Sequence, residues 1–408
     1  MLATLIPLFD ENMAVKAYSL FAQKENFLRN PALLGTGCLD GAGNILGLEI
    51  IQNLGISTLM DDQIVFVEIS EISVFSAIDE ECDLPHERVV LLIGKSIPAS
   101  EKYIARLKEL KDKGYMLALH GVGVERFAEY GPIIGLVDYM MLDYKKINMN
   151  AAKNFFMKYY PNVKLIAANV NSKEDFELLS EGGTYALYEG DFFRLPVTKG
   201  ASEVSPLKVN YLELLRVVND SDFELTKAAD IIGRDTALVI ALLRMVNHMT
   251  VNSEITSIRH AAAMLGQREL KKWINTAVTK QLCADKPNEI TRLSLLRAKF
   301  AENLSGLFEM AGLSQELFLM GLFSVLDIIL DKPIKDALAM VNVSKQINDA
   351  IVEGKGDMAK VLDFIVNYEV ASWSELSRLL IVYNMDEKPV YDAYVDALKW
   401  YRELFGDD

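Results

Sequence analysis

The sequence predicts two fold classes in one chain, an α/β unit followed by an all-α unit. Three observations carry this expectation. Strand-length apolar runs alternate with helical ones through roughly the first 200 of the 408 residues. The segment Arg194 to Pro206 (RLPVTKGASEVSP) then turns to Pro, Gly and Ser, the composition of a connection rather than an element. Beyond it only helical periodicity remains. The expected domains are therefore 1–200 and 201–408.

The elements follow in order. Gln63 to Ser70 (QIVFVEIS), Arg88 to Gly94 (RVVLLIG), Tyr115 to His120, Asp138 to Tyr144, Lys164 to Val170 and Thr184 to Gly190 are apolar and rich in β-branched or aromatic residues. Parallel strands buried on both faces have this composition. Ile97-Pro98-Ala99-Ser100 opens a helix with Ile104, Leu107 and Leu110 on one face, and Lys113-Gly114 stops it. Ser172, with Asp175 three residues on, caps another, which Gly182-Gly183 ends. Repeated βα units over this length favour a (β/α) barrel over an open sheet. In the second half Asp235 caps a helix bearing Leu238, Leu242, Met245 and Val246, Ser257 caps the next, and Gly266 interrupts it.

Composition excludes several function classes. Asp and Glu number 57 against 42 Lys and Arg, a net charge of −15, which repels a phosphate backbone or an anionic membrane on average. The densest basic group, Arg259, Arg268, Lys271 and Lys272, reads as a solvated helix face. A mean hydropathy of +0.15 means large cores or apolar surface kept for a partner. Cys38, Cys82 and Cys283 are far apart and form no C-x-x-C, so neither a disulfide framework nor a zinc site is expected. The N-terminus lacks a secretory pattern and Leu317 to Leu330 is too short to span a bilayer, so the expected location is the cytoplasm. Gly35 to Gly43 lacks the Lys-Ser/Thr of a P-loop and reads as a turn.

Residues 1–200 resemble the EAL family of cyclic di-GMP phosphodiesterase domains. Ile6-Pro7-Leu8-Phe9-Asp10 and Ala17-Tyr18-Ser19-Leu20-Phe21-Ala22-Gln23 resemble its opening motifs, and VFVEIS, RVVLLIGKS, ELKDKGYMLALHG, VDYMMLDYKKI, KLIAANVNS and YEGDFFRLP keep its order. The resemblance implies a TIM-type barrel and, for active members, divalent cations held by clustered carboxylates and an Asn, with a Lys and a Glu assisting attack by water. This chain departs from that set. Ser19 stands at the signature Glu, Gln23 at the phosphate-gripping Arg, Glu68 at the Asn, Leu92 at the next Glu, and His120 and Gly121 at the paired Asp. Asp138 and Asp143 are kept but Met141 replaces the Lys, while Ala168 and Asn171 replace two Glu and Glu189 replaces the closing Gln. Two cations need several converging carboxylates, so no metal, cofactor or catalytic residue is expected. Glu68, Asp138, Asp143 and Glu189 remain to bring acidic groups to the barrel mouth, or to serve as solvated or capping carboxylates.

Residues 201–408 resemble HDOD domains, all-helical relatives of the HD hydrolases. The carrying segments are Tyr211 to Leu215, Ile231-Ile232-Gly233-Arg234-Asp235, Leu242 to Asn247, Ser257-Ile258-Arg259-His260-Ala261, Leu265-Gly266 and Phe318 to Asp327. Ser324-Val325 stands at the His-Asp pair of the hydrolases, so no metallohydrolase is expected. His260 near Asn247 reads as a small-anion contact or as helix packing.

The expectation is thus a non-enzymatic signalling protein that works through another signalling protein, such as a kinase, cyclase or transcription regulator. The alternative is a receptor that binds cyclic di-GMP or another guanine nucleotide, at the barrel mouth or in the HDOD cavity, without hydrolysis.

Overall fold

Eight strands close into a barrel in the order β1 to β8. They are β1 Leu2–Phe9, β2 Val15–Gln23, β3 Ile64–Ile69, β4 Val89–Ile93, β5 Met116–Leu119, β6 Tyr139–Asp143, β7 Lys164–Ala168 and β8 Tyr185–Tyr188. The computed structural model describes residues 1–26, 28, 45–78, 85–195, 206–220, 222–248 and 255–405. Cys38, Cys82, the glycine-rich 35–43 segment and most of the 194–206 connection lie outside these residues.

From β2 to β8 every neighbour pairs in parallel, whereas β1 is antiparallel to both β2 and β8. The exception has a local cause. Asp10 Oδ1 accepts from the backbone N–H groups of Asn12 and Ala14, each at 2.9 Å, which folds the chain straight back into β2 and needs no crossover helix.

Alternation along the strands fills the barrel interior. Leu8, Phe66, Leu92, Met141, Ile166 and Leu187 belong to one buried cluster there, so this is a packed core and not a pore. The connecting helices begin where the sequence has capping residues. Ser100 precedes the helix Glu101–Asp112, and Ser172 Oγ accepts from Asp175 N at 3.0 Å at the head of Lys173–Ser180.

The chain divides into two compact units, Met1–Leu195 with Phe364–Asp408, and Pro196–Asp363. In the first, the C-terminal residues pack on the barrel. Tyr368 Oη accepts from Ala3 N at 3.3 Å and the Ser377 carbonyl accepts from Asn26 Nδ2 at 2.9 Å. The second unit is helical. Asn288–Leu304 is buried along most of its length against Ser314–Phe323. The approach is close at Gly321, where an added Cβ would lie 2.5 Å from the Arg297 carbonyl. Asp235 Oδ1 caps Thr236–His248 through Leu238 N at 3.0 Å. Gly266, at φ 75°, breaks the run Ile258–Leu282 into two helices.

Candidate functional site

Inward-pointing positions that fill the barrel become polar at the ends of the parallel strands. Phe66 is followed by Glu68 on β3, Ala118 by His120 after β5, Met141 by Asp143 on β6 and Leu187 by Glu189 after β8. Each polar residue lies two positions beyond an interior one and so shares its side of the sheet. The C-terminal ends of barrel strands are where such folds place chemistry.

Glu68 and His120 meet across β4, with Glu68 Oε1 3.6 Å from His120 Nε2. Gly94 leaves the room for this pair, since a Cβ there would stand 3.1 Å from His120 Nε2. Nε2 is buried and among the described residues has no hydrogen-bond partner. Burial pushes the Glu189 carboxyl up to about 7, helped by the negative charges of Asp143 and Asp191 and opposed by His120. Burial also pushes Asp143 up, but hydrogen bonds from Lys146, Lys145 N and Asn169 outweigh it and hold that carboxyl below its usual range. Lys146 Nζ stands 2.8 Å from Asp143 Oδ2. The mouth therefore holds one acid that stays ionised and one that exchanges its proton near neutrality.

The other sequence candidates are dispersed. Asp138 is not at the mouth. It precedes β6 at the opposite end, where it accepts from Lys111 Nζ and from Leu117 N at 2.9 Å, so the length of the β6 strand separates it from Asp143. Leu92, Met141 and Ala168 are interior packing. Ser19 Oγ is buried and among the described residues has no hydrogen-bond partner. Gln23 Nε2 donates to the Glu25 carbonyl at 2.7 Å and to Ser377 Oγ at 3.2 Å, which commits it to packing the C-terminal helix Trp373–Val382. Gly121 takes a positive φ of 70° in the turn after His120, and Asn171 Oδ1 accepts from Asp191 N at 3.3 Å.

In the helical unit Asn247 clamps Ile255 through both its backbone N–H and C=O, at 2.7 and 3.0 Å, while His260 is exposed. Ser324 Oγ accepts from Arg297 Nη1 at 3.1 Å and donates to the Gly321 carbonyl at 2.7 Å, and Val325 is buried. Asn247, Ser324 and Val325 hold local structure, and His260 faces solvent. The basic group read as a solvated face divides. Arg259 is exposed and pairs with Asp230, but Lys271 and Lys272 are only partly exposed, because Gly266 redirects the helix that carries them. Lys146 and Asn169 were not singled out from sequence. The available signal for Asn169 is an Asn directly after an apolar strand, and it takes the left-handed φ of 61° that Asn tolerates.

An EAL-type reaction implies divalent metal. Among the described residues no group of three or more His, Cys, Asp or Glu side chains is placed to hold one, and the interior neighbours Leu92 and Met141 offer no hard oxygen donor. The residues present do not fit that group.

The HDOD domain model matches residues 204–349. Residues 204–349 are an HDOD domain. The recognition made from sequence, an EAL-like barrel followed by an HDOD domain, stands. The Bacillus subtilis protein YuxH, itself uncharacterised, is 25% identical over 407 residues, covering 98% of this chain and 97% of its own. The Vibrio cholerae protein named cyclic di-GMP phosphodiesterase CdgJ is 26% identical over 330 residues, covering 79% of this chain and 75% of its own. Among solved structures, the EAL domain of Mycobacterium smegmatis DcpA aligns with a TM-score of 0.35 at 15% identity, covering 46% of this chain and 89% of that one. The Bacillus subtilis YkuI protein aligns with a TM-score of 0.36 at 15% identity, covering 66% and 73%.

The expectation of a non-enzymatic chain is corrected by the relative that carries the name of a phosphodiesterase. The inference from missing donors was incomplete for a physical reason. It rested on the missing metal donors and favoured solvated or capping roles for the remaining carboxylates, whereas Glu68, Asp143 and Glu189 stand with His120 at the barrel mouth. Among the described residues no helix is long and apolar enough to cross a membrane.

Proposed function

We propose that the chain is a regulatory protein of cyclic di-GMP signalling whose barrel mouth takes a cyclic dinucleotide. Water attacks the phosphorus of one phosphodiester, the protonated Glu189 gives its proton to the ribose oxygen that leaves as the P–O bond breaks, and His120, with Glu68 beside it, takes the proton released by the water. The observation that carries this reading is the Glu189 carboxyl, lifted to about 7 beside His120. A carboxyl in that range is substantially protonated at neutral pH, so it donates to a phosphodiester oxygen instead of repelling it. Asp143 is already paired with Lys146. The rim is therefore less hostile to an anion than its count of acids implies.

A second reading, recognition without hydrolysis, has its own support in Leu92 and Met141, which stand where the resemblance implies a carboxylate and an ammonium. In either case the output goes to another signalling protein, a kinase, cyclase or transcription regulator. The exposed apolar residues Val209, Ile240 and Met264 of the helical unit support a protein partner there.

The test is incubation of the full chain with cyclic di-GMP, with and without Mg²⁺ or Mn²⁺, followed by chromatography and paired with titration calorimetry. Heat at tens of micromolar protein and a linear dinucleotide whose formation falls on Glu189→Gln are expected. Heat without product selects the second reading. Absence of both overturns the proposal.

A further inference from the structure

The HDOD domain carries an open cleft of about 680 Å³, a volume suited to a nucleotide-sized ligand. One wall is the helix after Gly266, another the start of Ser314–Phe323, and the third the segment Asn342 to Ser344. A continuous pocket reaches Asn275, whose carboxamide exchanges hydrogen bonds with that of Asn219 at 2.9 and 3.2 Å.

Three cations face this space, and they are not equivalent. Lys272 is committed: its ammonium lies 2.7 Å from Glu302 and 4.9 Å from the centre of the Phe318 ring. Arg268 is exposed, and its ion pair is a long one, 3.8 Å to the adjacent Glu269. Lys271 is half-buried, and among the described residues its ammonium has neither an ion-pair nor a hydrogen-bond partner. Burial holds the Lys271 pKa below the usual lysine range against the opposite pull of Glu316 and Asp220. A partly desolvated ammonium aimed into a cavity gains from an anion that brings its own charge. Lys271 and the loosely paired Arg268 are opposed by two lining carboxylates, Asp220 and Glu316. That balance tolerates one added negative charge and disfavours two. Gln315 adds an amide donor and acceptor, and Asn342, whose Nδ2 donates to Asp220 Oδ2 at 3.3 Å, adds its carbonyl oxygen, which suit a heterocycle with polar edges.

We propose that this cavity binds a small monoanionic nucleotide, a single phosphodiester charge on a purine nucleoside, with Lys271 and Arg268 holding the charge and Gln315 and Asn342 the base. The site lies wholly in the helical unit and does not depend on the barrel mouth.

Titration calorimetry on the full chain tests it, with cyclic GMP and cyclic AMP as probes and 5′-GMP and inorganic phosphate as the dianionic and charge-only comparisons. One cyclic mononucleotide is expected to bind at a single site more tightly than 5′-GMP or phosphate. Lys271→Gln should weaken it by at least about tenfold, the scale of a lost charge-assisted hydrogen bond. Glu316→Gln, which removes an opposing charge from the same cavity, should tighten it, so a general loss of folding cannot imitate the pattern. Glu189→Gln should leave it unchanged. No heat from either cyclic mononucleotide at millimolar concentration overturns the proposal, as does full-strength binding by Lys271→Gln or loss of binding on Glu189→Gln.

Discussion

Replacing Glu189 by Gln should stabilise the barrel, and only above mildly acidic pH. The carboxyl moves from its ordinary 4.5 to about 7 in the folded chain. Below 4.5 the folded and unfolded forms are both protonated and the residue costs nothing. As pH rises from there the unfolded chain ionises first, while the folded chain holds its proton until about 7, so stability is lost through this window and stays lost above it. At about 1.4 kcal/mol per pH unit the full loss is about 3.5 kcal/mol, and between pH 5 and 8.5 it amounts to roughly 2.5 kcal/mol. The substituted glutamine fills nearly the same volume and never ionises. The assay is amide hydrogen exchange of a peptide spanning β8, read as the ratio of wild-type to variant exchange rates at one pH, which cancels the intrinsic chemistry. That ratio should grow by about 70-fold from pH 5 to pH 8.5 if the strand exchanges through global opening of its unit. The same ratio at both pH values, or a wild type that is the more protected at pH 8.5, refutes the argument that the mouth dehydrates this carboxyl.

Three further outcomes are expected. Gly190→Ala should cost the barrel several kcal/mol, visible as a large drop in denaturation midpoint, because Gly190 has φ 152° and a Cβ there would sit 1.8 Å from the Val170 carbonyl oxygen. Gly321→Ala should destabilise the HDOD unit by a few kcal/mol, measured by exchange of peptides within Asn288–Leu304, since the added methyl meets the Arg297 backbone and not a movable side chain. Asp138→Asn should cost about 1 kcal/mol, through the lost charge on its bonds from Lys111 and Leu117 N. It should leave cyclic di-GMP binding and turnover unchanged, measured by the same calorimetry and chromatography, because the residue is at the far end of β6.

The elements were legible because each depends on neighbours in sequence. The run RVVLLIG becomes β4 Val89–Ile93, and Ser172 caps the helix Lys173–Ser180 through Asp175 N. Ring closure was less so, since Phe9 pairing with Tyr188 joins positions that no local pattern relates. Nothing in the helical periodicity of 373–405 announces that Ser377 meets Gln23 and Asn26. At the site, composition counts Asp138 and Asp143 alike, but a strand rising about 3.3 Å per residue carries them to opposite ends. Lys271 illustrates the same limit: a charge on a helix reads as solvated until the kink at Gly266 and the neighbouring helix enclose it.

The residues that first read as losses also create the property on which the proposed site depends. A barrel mouth floored by carboxylates and an ammonium would be wet and strongly charged, and a further carboxyl there would find compensation and ionise at its ordinary pH. Here Leu92, Met141, Ala168 and Leu187 close the floor with apolar side chains, while Phe66 and Tyr139 pack edge to face beneath them at 5.4 Å. Water is excluded from below, the electrostatic cost of charge at Glu189 rises, and its proton is retained to about 7. Lys146 neutralises Asp143 from outside the ring, so the second acid does not compete for that proton. Donor replacement and proton retention are thus one physical change: the apolar floor that removes hard-cation ligands is what makes the remaining carboxyl able to meet a phosphodiester as an acid.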